Sequence, residues 1–102
     1  MRKIEKEMIM ACVAMRTMRN NKGEYTWTKD NTSVTNDYNG IIKVFLHGNH
    51  IASFVDGMLS VNLDTLRKWP SMTTRSRLRA LGADLVSIKG KLHLDGKSIY
   101  AI

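Results

Sequence analysis

Apolar residues at Ile4, Met8, Ala11, Met15 and Met18 recur in steps of four and three, the signature of one stripe on a helix spanning residues 2 to about 19. Lys3, Lys6, Arg16 and Arg19 fall beside or away from that stripe, so the helix is amphipathic. Asn20-Asn21-Lys22-Gly23 supplies a stop, glycine being the residue most easily placed in the left-handed conformation past a helix end. Four methionines lie on or near the stripe and suit either an adaptable groove or a helix packed on a sheet. A chain this small has few other apolar residues with which to cover a sheet, which favours the core role.

After Gly23 the period changes from helical to alternating, and turn residues appear at short intervals. Residues 24–29, with Tyr25 and Trp27 on one face, and residues 32–35 are predicted as strands, followed by a loop at 36–40. Residues 41–47 make the clearest strand, Gly48-Asn49 a tight turn, 50–55 the return, Asp56-Gly57 a second turn and 58–63 the next strand. Two-residue connections force neighbouring strands to run antiparallel, so the middle of the chain is a β-meander.

From Leu63 the chain leaves the sheet, and Trp69-Pro70 sets a bend, because proline restricts the residue before it and donates no ladder hydrogen bond. Ser71, Thr73 or Thr74 can cap a short second helix whose inner face is Thr74, Leu78 and Leu81 and which Gly82 ends. Residues 85–88, 91–94 and 98–102 read as short strands turned at Gly90-Lys91 and Asp95-Gly96. The expected class is α+β in a single domain, 1–102: an N-terminal amphipathic helix, an antiparallel β-meander, a short basic second helix and a C-terminal β-hairpin.

Composition adds a bias toward polyanions. Sixteen Lys and Arg against nine Asp and Glu give a net charge of +7, which favours nucleic acid, an anionic membrane or an acidic protein as partner. Cys12 is the sole cysteine, which excludes an intrachain disulfide and a thiolate metal cage and leaves it the role of a small core residue. Charges interrupt the amino terminus, so no signal-peptide core is expected there, and no apolar run approaches the roughly 18 residues of a membrane span. The expected setting is cytoplasmic, with no membrane partner.

His47-Gly48-Asn49-His50 invites a metal or nuclease reading, but a hairpin turned at Gly48-Asn49 would offer only this histidine pair as ligands, with His93 and scattered carboxylates left to complete a site. The acids Asp30, Asp37, Asp56, Asp64 and Asp95 sit in turns or near element ends, where their local hydrogen bonding is expected. A Gly-rich phosphate loop, a nucleophile elbow and a zinc-protease pattern are all absent from the sequence. The expectation is therefore a non-enzyme with no metal and no cofactor.

The candidate binding block is 65–83, which holds five positive charges and no negative one. At about 100° per residue, Arg75 and Arg79 share one flank of the second helix and Arg77 lies across the Leu78/Leu81 stripe. Together with Arg67 and Lys68 they can hold phosphates through forked hydrogen bonds, Thr73 and Thr74 can add hydroxyl contacts, and Trp69 can stack on an unpaired base. The opposing expectation is architectural: Trp69 plugs the core edge, the threonines cap the helix and the arginines only solvate it.

Two stretches, Val44-Phe45-Leu46-His47-Gly48-Asn49-His50-Ile51-Ala52 and Trp69-Pro70-Ser71-Met72-Thr73-Thr74-Arg75-Ser76-Arg77-Leu78-Arg79-Ala80-Leu81, together resemble small accessory (early) proteins of tailed bacteriophages. The resemblance implies a protein made in the cytoplasm of an infected bacterium, and it identifies no catalytic or ligand residues. The order helix, antiparallel strands, helix is similar in architecture to the double-stranded RNA-binding domain, which uses a basic second helix. The leading expectation is a phage-type protein binding DNA or RNA without catalysis. The alternative is a host-directed inhibitor, an anti-defence or host-takeover protein, that binds an acidic host protein; a homo-oligomer paired through a helix or edge strand is a third form.

Overall fold

The computed structural model describes residues 1–16, 25–37 and 40–100. The element order is α1 (Lys3–Arg16), β1 (Tyr25–Lys29), β2 (Thr32–Asn36), β3 (Ile42–Leu46), β4 (Asn49–Val55), β5 (Met58–Val61), α2 (Leu63–Lys68), α3 (Met72–Ala80), β6 (Leu85–Ile88), β7 (Lys91–Leu94) and β8 (Lys97–Ser98). Strands β1 to β5 form an antiparallel sheet in sequence order, and β6, β7 and β8 form a second, three-stranded one. The α+β class, the N-terminal helix, the meander, the basic helix and the C-terminal hairpin are all present. The stop expected at residues 20–23 and the expected end of the first helix lie outside the described residues, whereas the last strand, expected at 98–102, is Lys97–Ser98, with residues 99–100 in a turn.

Alternation of side chains decides which face of the large sheet is inside. Along β2 and β3 every second residue is buried, namely Thr32, Val34, Asn36, Ile42, Val44 and Leu46. Helix α1 packs across β1, β2 and β3, while α2 and α3 pack on β4. The buried line of α1 is Glu5, Met8, Cys12 and Met15, a rotation from the expected stripe that leaves Ile4 and Ala11 only half-buried. Met8 and Cys12 are core residues, whereas Met10 stands exposed. Glu7 pairs with Lys29 at 2.7 Å and ties α1 to β1.

The β3–β4 turn differs from expectation by one residue. Its centre is His47-Gly48, with φ of 52° and 78°, so both residues are left-handed as a type I′ turn requires, and glycine takes the position that tolerates it best. The same residue-then-glycine form recurs at Asp56-Gly57, Lys89-Gly90 and Asp95-Gly96, so the turn expected at Gly90-Lys91 also falls one residue earlier. His50 consequently faces Phe45 across the sheet, and His47 is not its cross-strand partner. A bulge follows: Val44 pairs with Ala52 but Phe45 with His50, leaving Ile51 unopposed. The kink lets Ile51 and Ala52 both enter the core, and the freed Ile51 carbonyl accepts a hydrogen bond from the Asn62 amide at 2.8 Å.

Helix α2 is an element that the residue pattern does not announce. Leu63-Asp64-Thr65-Leu66-Arg67-Lys68 is too short to show a period, and it is held by its ends and by burial of Leu66. Asn62 Oδ1 accepts from the Thr65 amide at 3.2 Å, while Asn62 Nδ2 donates to His50 Nδ1 at 3.3 Å. His50 Nε2 therefore carries the ring proton and donates to Ser53 Oγ at 2.7 Å. Trp69, at φ −133° and ψ 69°, has left the helical region that a following proline disfavours, and it stops α2.

Candidate functional site

The bend between α2 and α3 faces the β3–β4 turn across an open cleft of about 730 Å³. One wall is Leu46, His47, Asn49 and Ile51; the other is Thr65, Lys68, Trp69, Pro70, Ser71, Thr73 and Thr74. The volume falls within the roughly 300–1,000 Å³ typical of ligand sites. The first wall comes from one of the two stretches that carry the phage resemblance, and the second, apart from Thr65 and Lys68, comes from the other.

Local chemistry explains how the second wall is held. Ser71 caps α3: its Oγ accepts from the Thr74 amide at 3.2 Å and lies 3.0 Å from Thr74 Oγ1. Thr74 is thereby buried at the base of the helix, while Thr73, the next residue outward, is half-exposed. Trp69 cannot be a core plug, since half of its surface (50%) is open to solvent. Lys68 is exposed beside it, and among the described residues no carboxylate lines the cleft. Asn49, on the opposing wall, makes no side-chain hydrogen bond with the described residues and was not singled out by its sequence context. Only its place one residue past the His47-Gly48 turn, facing Trp69-Pro70, gives it a site.

The arginines separate into different roles. Arg77 is 3% exposed, too enclosed to reach an external phosphate, which corrects its expected place in the binding block. Its Nη1 donates to Glu5 Oε2 at 2.8 Å, its Nε to Thr32 Oγ1 at 3.2 Å and its Nη2 to Asn31 Oδ1 at 3.5 Å. Ser76 Oγ donates to the same Glu5 oxygen at 2.6 Å, and the Arg2 amide donates to Glu5 Oε1 at 3.3 Å. Burial pushes the Glu5 carboxyl upward, but the Ser76, Arg77 and Arg2 hydrogen bonds and the Arg77 charge outweigh it and leave the pKa below its ordinary value. This buried pair joins α1, α3 and the β1–β2 turn.

Arg67 and Arg79 are partly committed to architecture. Arg67 Nε donates to the Ile99 carbonyl at 2.6 Å with Nη1 3.3 Å from Asp64, and Arg79 Nε donates to the Leu85 carbonyl at 2.7 Å. Both bonds tie the terminal sheet to the helices. Arg75 differs: it is half-exposed, and its one side-chain hydrogen bond among the described residues is a long one, 3.4 Å from Nε to the Ser71 carbonyl. Of the expected residues, Lys68, Trp69, Thr73 and Thr74 line the cleft, Arg75 follows Thr74 just outside the lining, and Arg67, Arg77 and Arg79 lie outside its walls.

The histidines are dispersed. His47 is exposed in its turn, His50 is engaged by Ser53 and Asn62, and His93 Nδ1 lies 3.0 Å from the Lys91 carbonyl. Among the described residues no group of three or more His, Cys, Asp or Glu is placed to hold a metal ion. No helix of the described residues is long and apolar enough to cross a membrane.

Fold and cleft define a small basic α+β protein with an open groove between a hairpin turn and a helix bend. The chain belongs to the Kyanoviridae Gp96 protein family, whose family model matches residues 1–97. That is a phage protein family, as the resemblance of the two stretches implied. No curated protein and no solved structure matches the chain.

Proposed function

We propose that this protein is a non-enzymatic phage accessory protein that binds nucleic acid at the cleft between the β3–β4 turn and the α2–α3 bend. The observation that carries the reading is a half-exposed Trp69 beside Lys68 on the wall of a groove that, among the described residues, no carboxylate lines. Lys68 and Arg75 supply the phosphate contacts, Thr73 adds a hydroxyl donor, and Arg67 and Arg79 contribute positive field from their tethered positions.

Binding is tested by titrating labelled DNA and RNA, single- and double-stranded, at two salt concentrations. Two phosphate contacts imply that log affinity falls against log salt with a slope of roughly −1.4 on single strands and −1.8 on duplex. Lys68→Ala with Arg75→Ala removes most of that slope. Absence of salt-sensitive binding at low ionic strength would refute the proposal.

The host-inhibitor reading draws on a different place. Ile9, Cys12, Val13, Phe54, Ala80 and Leu81, together with the charged Arg16, line a mainly apolar cleft of about 180 Å³ between α1, β4 and the end of α3, with Met10 and Val13 exposed on α1. A stoichiometric host protein that stays bound through nuclease treatment of a lysate favours that reading over the first.

A further inference from the structure

We infer that the groove takes an unpaired strand, with one base stacked on Trp69 and its edge read by Asn49; this rests on the nucleic-acid reading above and specifies its ligand. Three features of the groove carry it.

The first is shape. Reading a duplex requires a protruding helix or ribbon that enters a major groove about 12 Å wide. The basic helix α3 is nine residues long, and its Thr74, Arg77 and Leu78 side is buried against the rest of the protein. What the molecule offers instead is concave, and a base still stacked in a duplex cannot enter a cleft.

The second is the aromatic. A half-exposed tryptophan gives a π-face on which any unpaired base can stack, and Lys68 next to it meets the adjoining phosphate.

The third is the opposing wall. Across from Trp69-Pro70, the Asn49 amide presents both a donor and acceptor, uncommitted to any described residue. Its position follows from the His47-Gly48 turn, which makes Asn49 the first residue of β4, paired with Leu46. A base lying on the indole turns its hydrogen-bonding edge toward that wall, and an amide discriminates among such edges.

The full chain is titrated with labelled oligonucleotides by anisotropy at one low salt concentration, using matched single strands and duplexes of both DNA and RNA, and single-stranded homopolymers of dA, dC and dT. Single strands bind roughly tenfold or more tightly than duplex, the weight of about one stacked base. Trp69→Ala loses that factor and Trp69→Phe keeps most of it. Asn49→Ala flattens the ranking among the homopolymers by about tenfold while the protein melts as wild type, the size expected of one paired amide. The DNA and RNA arms name the source of the strand, and a preference for either supports the inference. Salt-sensitive binding that is equal or tighter on duplex overturns it and leaves the broader nucleic-acid reading standing. An unchanged homopolymer ranking in Asn49→Ala overturns the role of Asn49, and no binding to any strand overturns both readings.

Discussion

Replacing Arg77 by methionine separates a structural arginine from a phosphate-binding one. The substitution keeps much of the side-chain volume but leaves Glu5, 3% exposed, with only the Ser76 hydroxyl and the Arg2 amide. The uncompensated carboxylate then either stays charged in the core, at about 3–5 kcal/mol, or takes up a proton. From an ordinary value of 4.5 to pH 7, protonation costs about 3.4 kcal/mol at 1.36 per unit, which caps the charge penalty. Arg77→Met should therefore lose about 3–4 kcal/mol, a large part of the roughly 5–15 kcal/mol of a small domain. The melting temperature falls with it by roughly 12–30 °C. Glu5→Leu combined with Arg77→Met removes both charges and should lie within about 1 kcal/mol of wild type, because buried pairs are often matched by apolar residues of similar volume. Urea unfolding of wild type, both single variants and the double variant gives the coupling directly, provided circular dichroism and fluorescence report the same transition. A solvent-facing arginine would instead shift stability by no more than about 0.5 kcal/mol. A loss below about 1 kcal/mol in Arg77→Met, with additive single effects, would refute the buried-pair account.

Two further outcomes follow from ionisation. Glu5 has a folded pKa below its ordinary value, so its stabilisation is fully present above the unfolded value and is lost as pH falls through the folded one. The urea midpoint should drop between neutral pH and roughly pH 4 or below in wild type, with a smaller drop in the double variant; equal drops would exclude a contribution from this carboxyl. Cys12 is 4% exposed, and burial pushes its thiol from 9.0 up to about 11. At about pH 8 that shift alone lowers the thiolate fraction about a hundredfold, so labelling with a thiol reagent should follow unfolding. Rapid labelling of the native protein would contradict the packing of α1.

Much of the fold is legible because it is set by neighbours in sequence. The steps of α1, the alternation of β2 and β3 and the turn residues each act within a few positions, and the elements form where those patterns stand. Turn position is the finer matter. Glycine sits second in each type I′ pair, so Gly48 and Gly90 draw in the residue before them, and that shift moves His50 opposite Phe45. Helix α2 is less legible, since six residues carry no period and their helix depends on the Asn62 cap and on Leu66 meeting β4.

The site divides in the same way. From the sequence alone came the phage resemblance, a cap among Ser71, Thr73 and Thr74, the bend at Trp69-Pro70 and a one-signed block at 65–83, and the structure places the cap at Ser71. What those charges face was decided by tertiary contacts: Arg77 meets Glu5, 72 positions away, and Arg79 and Arg67 meet carbonyls of the terminal sheet. A trace of the first was present, because Glu5 shares the phase of Met8, Cys12 and Met15, and Arg77 adjoins Leu78 on the line of Thr74 and Leu81. Opposite charges on the buried stripes of two helices are a pairing signal, but only packing brings the stripes together. The cleft is wholly tertiary: Asn49 and Trp69 acquire a shared surface because the meander brings its β3–β4 turn to the bend between α2 and α3. Local patterning specifies what each segment becomes, and burial, which depends on every segment at once, specifies which of its charges remain free to bind.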